Sequence, residues 1–168
     1  MKQDPVKHSS QRVGVFIDAS NMYFSAKNNF NKNVNFKNVL KEAVSERNLI
    51  RAFAYVIQSE GGKESDFFEA LESYGYETRI KQLQVFSSGS KKGDWDVGLA
   101  IDVVRMLPIL DVVVLVSGDG DFVDLLDYVR GQGRRTEVMA FKQTTSSRLL
   151  SETDEFIDLS ADQRRYLF

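Results

Sequence analysis

Three short segments carry the residues able to do chemistry: FIDASN at 16–21, KKGDWDVGLAID at 91–102 and VVVLVSGDGD at 112–121. Asp18 closes one apolar run, Asp119 and Asp121 follow a longer one, and Asp94 and Asp96 lead into a helical pattern. The chain has no cysteine and one histidine, His8, in a polar N-terminal stretch. Disulfides, thiolate zinc sites and cysteine nucleophiles are thereby excluded, and a histidine triad or histidine metal cage is disfavoured. Convergent carboxylates without histidine or cysteine suit hard cations, so Mg2+ or Mn2+ is the expected ion.

Each of these residues also has a plain structural use. Asp18 could end a strand and accept backbone hydrogen bonds at the start of the next helix, and Asn21 alone favours such a role. Asp94 and Asp96 fall in a first helical turn, where negative charge is favourable in itself. Asp102 is six positions beyond Asp96, a rotation of about 240°, so the two cannot share a helix face. Asp119 and Asp121 are the strongest candidates, because a turn explains two glycines more easily than it explains two carboxylates. The glycines flanking Asp119 are expected to let the backbone turn and to leave room for a substrate. Ser117 and Thr144 are candidate phosphate contacts that could instead cap helices. Lys91, Lys92, Arg134, Arg135, Lys142 and Arg148 are candidates for a basic rim, and Trp95 for stacking on a base or anchoring the core.

The elements that must position these residues are legible in the hydrophobic pattern. RVGVFID reads as a strand, with Ser20 and Asn21 starting a helix through MYFSA. FKNVLKEAVSERN has helical periodicity and LIRAFAYVIQ reads as a second strand. A helix around Phe67, Phe68, Leu71 and Tyr74 ends at Gly75, before YETRIKQLQVF, whose alternation suits a strand nearer the sheet edge. DVGLAIDVVRML is helical and stops near Pro108, while DVVVLV is the β-branched run expected of a central strand buried on both faces. A helix over FVDLLDYVRGQG, a strand over RTEVMAF, a last short helix around Ser147 to Ser151 and an edge strand at EFIDL complete the chain. Alternating strands and helices predict a three-layer α/β/α sandwich with a mostly parallel central sheet. In such sheets ligands bind beyond the carboxyl ends of the strands, where strand order reverses. Asp18 and Asp119 fall where that rule points.

The 168 residues, 42% hydrophobic, suffice for one domain over 12–168 behind a flexible tail at 1–11. A net charge of −2 supplies no basic field toward nucleic acid and does not exclude it. The longest apolar run is far too short to span a membrane and the start lacks the apolar segment of a signal peptide, so a cytoplasmic protein without membrane contact is expected. The phenylalanine-rich helices offer a surface on which two copies could pair as a homodimer.

Taken together, the three motifs resemble the NYN family of PIN-like domains, and within it the LabA-like bacterial branch, over nearly the whole chain from Arg12. The resemblance implies a Rossmann-like PIN-type topology and similarity to metal-dependent ribonucleases, with RNA as the expected substrate and DNA as the alternative polymer. It implies catalytic roles for Asp18, Asn21, Asp96, Asp119 and Asp121, with Asp18, Asp96, Asp119 and Asp121 as metal ligands or water-positioning groups and Mg2+ or Mn2+ as the ion. Asp102 matches the second acid of the helix motif. Other readings fit less well. A haloacid-dehalogenase-type phosphatase needs an aspartate at position 20, which is serine, and a phospho-receiver domain lacks its phosphorylatable aspartate after QVF. The rival of a different class is a non-catalytic regulatory module that binds RNA or a protein partner through the same acidic pocket.

Overall fold

A computed structural model describes residues 7–89 and 91–168, with the backbone alone for Lys91 and Lys92. Six strands form one sheet: β1 (Arg12–Asp18), β2 (Asn48–Gln58), β3 (Glu77–Gln82), β6 (Val112–Val116), β7 (Arg135–Ala140) and β8 (Glu155–Asp158). Two short strands, β4 (Gln84–Val85) and β5 (Lys91–Lys92), pair antiparallel beside it. The order is β3-β2-β1-β6-β7-β8 and every pairing in the large sheet is parallel. The chain therefore runs outward from β1 to one edge, then crosses over to β6 and runs to the other. This is the doubly wound Rossmann-like order, with the switch point between β1 and β6.

Strand pleat divides the core into two layers. Val13, Val15 and Ile17 of β1 join Ala52, Ala54, Val56, Val112, Val114 and Val116 on one face. There they meet α1 (Ala19–Phe30), α2 (Phe36–Val44) and α3 (Ser65–Tyr74) through Met22, Val39 and Leu71. Phe16, Phe53, Tyr55, Val113 and Leu115 point the other way. They pack on α4 (Asp96–Met106), α5 (Val123–Gly131) and α6 (Ser147–Glu152) through Leu99, Leu126 and Leu149. Because β1 and β6 are covered on both faces, they must be continuously apolar, which is why both were readable as uninterrupted runs. The six-stranded sheet between two helical layers is the expected three-layer α/β/α sandwich, parallel throughout.

The alternation also aims the chemistry. Asp18 has the parity of Phe16, so at the end of β1 it faces the α4 layer. A helix from the neighbouring crossover can then bring its N-terminus to the same spot.

The far reaches of the sheet hold the differences from the sequence reading. YETRIKQLQVF is broken after Gln82: β3 forms the edge, and Gln84–Val85 leave it to pair with Lys91–Lys92. A further short helix, α7 (Gln163–Tyr166), follows α6, and Leu167 bridges back to Val34. Of the stretch 1–11, residues 1–6 lie outside the described residues. Lys7 pairs with Glu155 at 3.7 Å, and the Arg47 guanidinium donates to Gln11 Oε1 at 3.3 Å. On the phenylalanine-rich helices Phe36 and Phe68 are buried and Phe30 and Phe67 pack against the core, while Phe24 stays 59% exposed. Further exposed apolar side chains line a groove of about 540 Å³ between α4 and α5, among them Val97, Ile101, Val104 and Tyr128. No helix of the described residues is long and apolar enough to cross a membrane.

Candidate metal centre

Three loops at the carboxyl ends of β1, β6 and the β5–α4 connection surround one cavity of about 370 Å³, lined by Asp18, Asn21, Asp94, Asp96 and Asp119 among others. Asp18 ends β1 and caps α1, its Oδ1 accepting from the Asn21 N–H at 3.4 Å. Asn21 is exposed in the first turn, so its amide reaches the cavity mouth. Ser20, expected to start the helix, holds its neighbour strand instead: its Oγ accepts from the Ile57 N–H at 2.9 Å.

After β6 the chain turns sharply. Ser117 is fully buried and its Oγ accepts from the Asp119 N–H at 3.2 Å. Asp119 Oδ1 in turn accepts from the Asp121 N–H at 2.9 Å, capping a 3-10 turn over Gly120–Phe122. Neither flanking glycine has a positive φ. Their missing side chains make room for the loop after β7: a Cβ on Gly118 would lie 3.0 Å from Thr144 O, and one on Gly120 would lie 2.8 Å from Ser146 Oγ. The expectation that these glycines clear space for a substrate is thus corrected, because the protein's own loop fills that space. Thr144 is exposed on that loop, with its Oγ1 donating to Phe141 O at 3.3 Å.

At the third edge, Asp94 Oδ1 accepts from the Asp96 N–H at 3.3 Å, and Asp96 opens α4. Trp95 between them is an anchor. Its Nε1 donates to Val56 O at 2.9 Å, its ring lies 5.4 Å from Tyr55, and Lys81 Nζ sits 4.4 Å above it. The indole also covers Gly98, where a Cβ would approach the ring to 2.6 Å. These contacts fix the start of α4 and hold the indole in place, with Lys81 over its ring.

Among the described residues, Asp96, Asp119 and Asp121 offer carboxylate oxygens all within 4.8 Å of one another. Asp18 stands outside that close group but in the same cavity. The electrostatics report the crowding. Burial, with repulsion from Asp96, Asp119 and Asp94, outweighs the Asn21 hydrogen bond and raises the Asp18 carboxyl to about 7. Burial, then repulsion from Asp119, Asp94 and Asp121 and a hydrogen bond with Asp121, raises Asp96 to about 6. Near neutral pH Asp18 thus keeps part of its proton, which a cation in the cavity would displace.

The stability consequence has a definite sign. A carboxyl whose pKa is raised on folding stabilises the fold below its unfolded pKa, and that contribution is lost as pH rises through the folded value. The metal-free protein should therefore lose stability between about pH 4 and pH 7 on account of Asp18. Asn at position 18 retains an oxygen for the α1 cap and carries no charge. Asp18→Asn should melt about 3–6 °C higher than the native protein at pH 8 in chelator and no higher at pH 4, measured by thermal unfolding.

Other predicted residues go elsewhere. Asp102 is buried beneath the site, accepting from the Tyr55 hydroxyl at 2.8 Å and pairing with Arg79 at 2.9 Å. Arg134 precedes β7 and Arg135 opens it, so both lie at the amino ends of the parallel strands, opposite the site, where Arg134 donates to Leu107 O and Arg135 to Glu137 and Glu155. Lys142 and Arg148 are exposed beyond the carboxyl end of β7. Lys91 and Lys92 lie on β5, and their side chains are outside the described residues. Phe24 and Glu64 are among the cavity residues that the sequence reading missed. Phe24 was findable, since it stands three positions after Asn21 on the same helical face.

A parallel α/β sandwich with carboxylates gathered at its switch point defines a PIN-like class of domain. The NYN domain family model matches residues 12–160, and the chain belongs to that family of PIN-like nuclease domains. It is 29% identical over 160 residues to the low amplitude and bright protein LabA of Synechococcus elongatus, covering 89% of this chain and 84% of that one. Among solved structures, it is similar to a protein of unknown function from Vibrio parahaemolyticus, with a TM-score of 0.86 and 28% identity over 98% of this chain and 100% of the other.

Proposed function

We propose that this chain is a metal-dependent ribonuclease that hydrolyses phosphodiester bonds. The observation that carries the proposal is the meeting of Asp96, Asp119 and Asp121 within 4.8 Å at the switch point of the sheet. Membership of the NYN family supports it. Every donor in the cluster is a carboxylate oxygen, a set that fits Mg2+ or Mn2+ better than zinc or a redox metal. Asp96, Asp119 and Asp121 would hold the ion, and Asp18 would join through water from deeper in the cavity. Bound there, a divalent cation supplies activation of water and charge stabilisation on the attacked phosphate.

The protein's own groups do the rest. Asp121, the exposed acid of the three, accepts a hydrogen from the attacking water and so orients it. Asn21 donates from its side-chain amide to a non-bridging phosphate oxygen at the cavity mouth. Lys91 and Lys92, just before Asp94 in the chain, contribute positive charge toward the flanking phosphates. Ser117 and Thr144 act on the loops that set Asp119 and not on substrate, in keeping with their hydrogen bonds.

Cleavage of labelled single-stranded RNA, duplex RNA and single-stranded DNA with Mn2+, Mg2+ or chelator tests this reading. RNA cut with either cation and untouched in chelator is the expected result. Cleavage indifferent to chelator would overturn it, and so would inactivity on every polymer. Inactivity with tight RNA binding would favour the non-catalytic module.

A further inference from the structure

Beside the acid cavity lies a second one of about 310 Å³, lined by Tyr23, Phe24, Phe67 and Phe68 with Ser20, Ile57, Lys63 and Glu64. It shares Ser20, Phe24, Ile57 and Glu64 with the acid cavity, so the two adjoin. Phe24 divides them and is 59% exposed. Its only ring neighbour among the described residues is Tyr23, edge-on at 5.4 Å, which leaves a face open. Tyr23 and Phe67, 6.0 Å apart, form another wall, backed by the packing of Phe67 on Phe36 and Phe68. Polar groups sit at the rim. The Ser20 hydroxyl accepts from Ile57 and keeps its own hydrogen to donate, Glu64 is held by Ser59, and Lys63 is exposed.

A pocket with aromatic walls, a few polar groups at the edge and a volume of a few hundred Å³ suits a flat ligand with apolar faces and hydrogen-bonding edges. The walls it shares with the acid cavity narrow the choice, because a phosphate held among the carboxylates would place its own nucleoside beside this pocket. We propose that this aromatic pocket receives one unpaired nucleobase next to the phosphate at the acid cluster, stacked on Phe24. The inference rests on the nuclease reading and deepens it: a base can enter only when it is out of a helical stack, so the substrate is single-stranded or locally opened. Trp95, pinned to Val56 O with Lys81 over its ring, is not among the residues lining this pocket.

The test is binding without cleavage, in chelator. A short single-stranded oligonucleotide carrying the fluorescent base 2-aminopurine is titrated with native protein, Phe24→Ala and Phe24→Trp. Stacking should quench the fluorescence with native protein. Phe24→Ala should weaken binding about tenfold and remove the quench, and Phe24→Trp should restore both. An abasic nucleotide at the quenched position should weaken native binding to a similar extent and add nothing in Phe24→Ala. A duplex should bind native and Phe24→Ala protein alike. The proposal is overturned if Phe24→Ala binds and quenches like the native protein, or if native protein leaves the probe unquenched. Failure of the nuclease reading looks different: no cleavage with Mn2+, while the Phe24-dependent quench persists.

Discussion

Asp119→Asn should lose Mn2+-dependent cleavage by on the order of a thousandfold or more while remaining folded. The separation of the two effects follows from what each atom does. The turn at Gly120–Phe122 needs only an oxygen at position 119 to accept the Asp121 N–H, and asparagine supplies one. The Ser117 hydroxyl bonds the backbone N–H of residue 119, which the substitution leaves in place. What disappears is the charge that Asp119 brings to within 4.8 Å of Asp96 and Asp121. Asp102→Asn is the matching control. Its carboxylate serves Tyr55 and Arg79 below the cavity, so cleavage should change by less than about fivefold at temperatures where the variant stays folded. Equal losses in the two variants, with both folded, would show that the acids act through the scaffold and not at a reacting phosphate.

The largest stability effect is expected far from the cavity, at Glu137 in the middle of β7. This side chain is fully buried and takes two hydrogen bonds from Arg47, at 2.8 and 2.9 Å, and one from Arg135 at 2.9 Å. Burial pushes its carboxyl up, but the two guanidiniums outweigh burial and the net shift is downward. A lowered carboxyl pKa stabilises the fold above the unfolded value and ceases to do so as pH falls through the folded one, so this contribution is lost in acid below about pH 4.5. Glu137→Gln strands the Arg47 guanidinium, whose side chain is 1% exposed, without its counter-charge. Losing one partner of a buried pair costs about 3–5 kcal/mol, a fall of roughly 10 °C in Tm. Replacing both partners with apolar residues, Arg47→Met with Glu137→Leu, should recover most of that loss. Chemical denaturation of the two variants decides the matter, and a double variant as unstable as Glu137→Gln would contradict it.

Where the sequence was legible, a single physical signal dominated. β1 and β6 are covered on both faces, so their apolar runs had no competing interpretation, and the acids that close them fell at the switch point by topology. Asp94 and Asp96 were ambiguous from spacing, because which of them comes close to Asp119 and Asp121 depends on how two segments distant in sequence meet. Gly118 and Gly120 were misread for the same reason: a glycine records that something comes close, but not whether it is a ligand or the loop at Thr144–Ser146. The short α7 escaped notice because QRRY carries no helical periodicity, and its place is fixed by burial of Tyr166 and Leu167 against distant helices. The aromatic pocket was invisible for a related reason. Tyr23 and Phe24 come from α1 and Phe67 and Phe68 from α3, and each pair alone looks like ordinary core.

The most direct measurement is a calorimetric titration of Mn2+ into the native protein and into Asp119→Asn at pH 7.5. Binding by the native protein, with release of the fraction of a proton that Asp18 still holds at this pH, and its loss in the variant are the predicted results. No binding by the native protein, or equal binding by both, would contradict a carboxylate-held cation at this site.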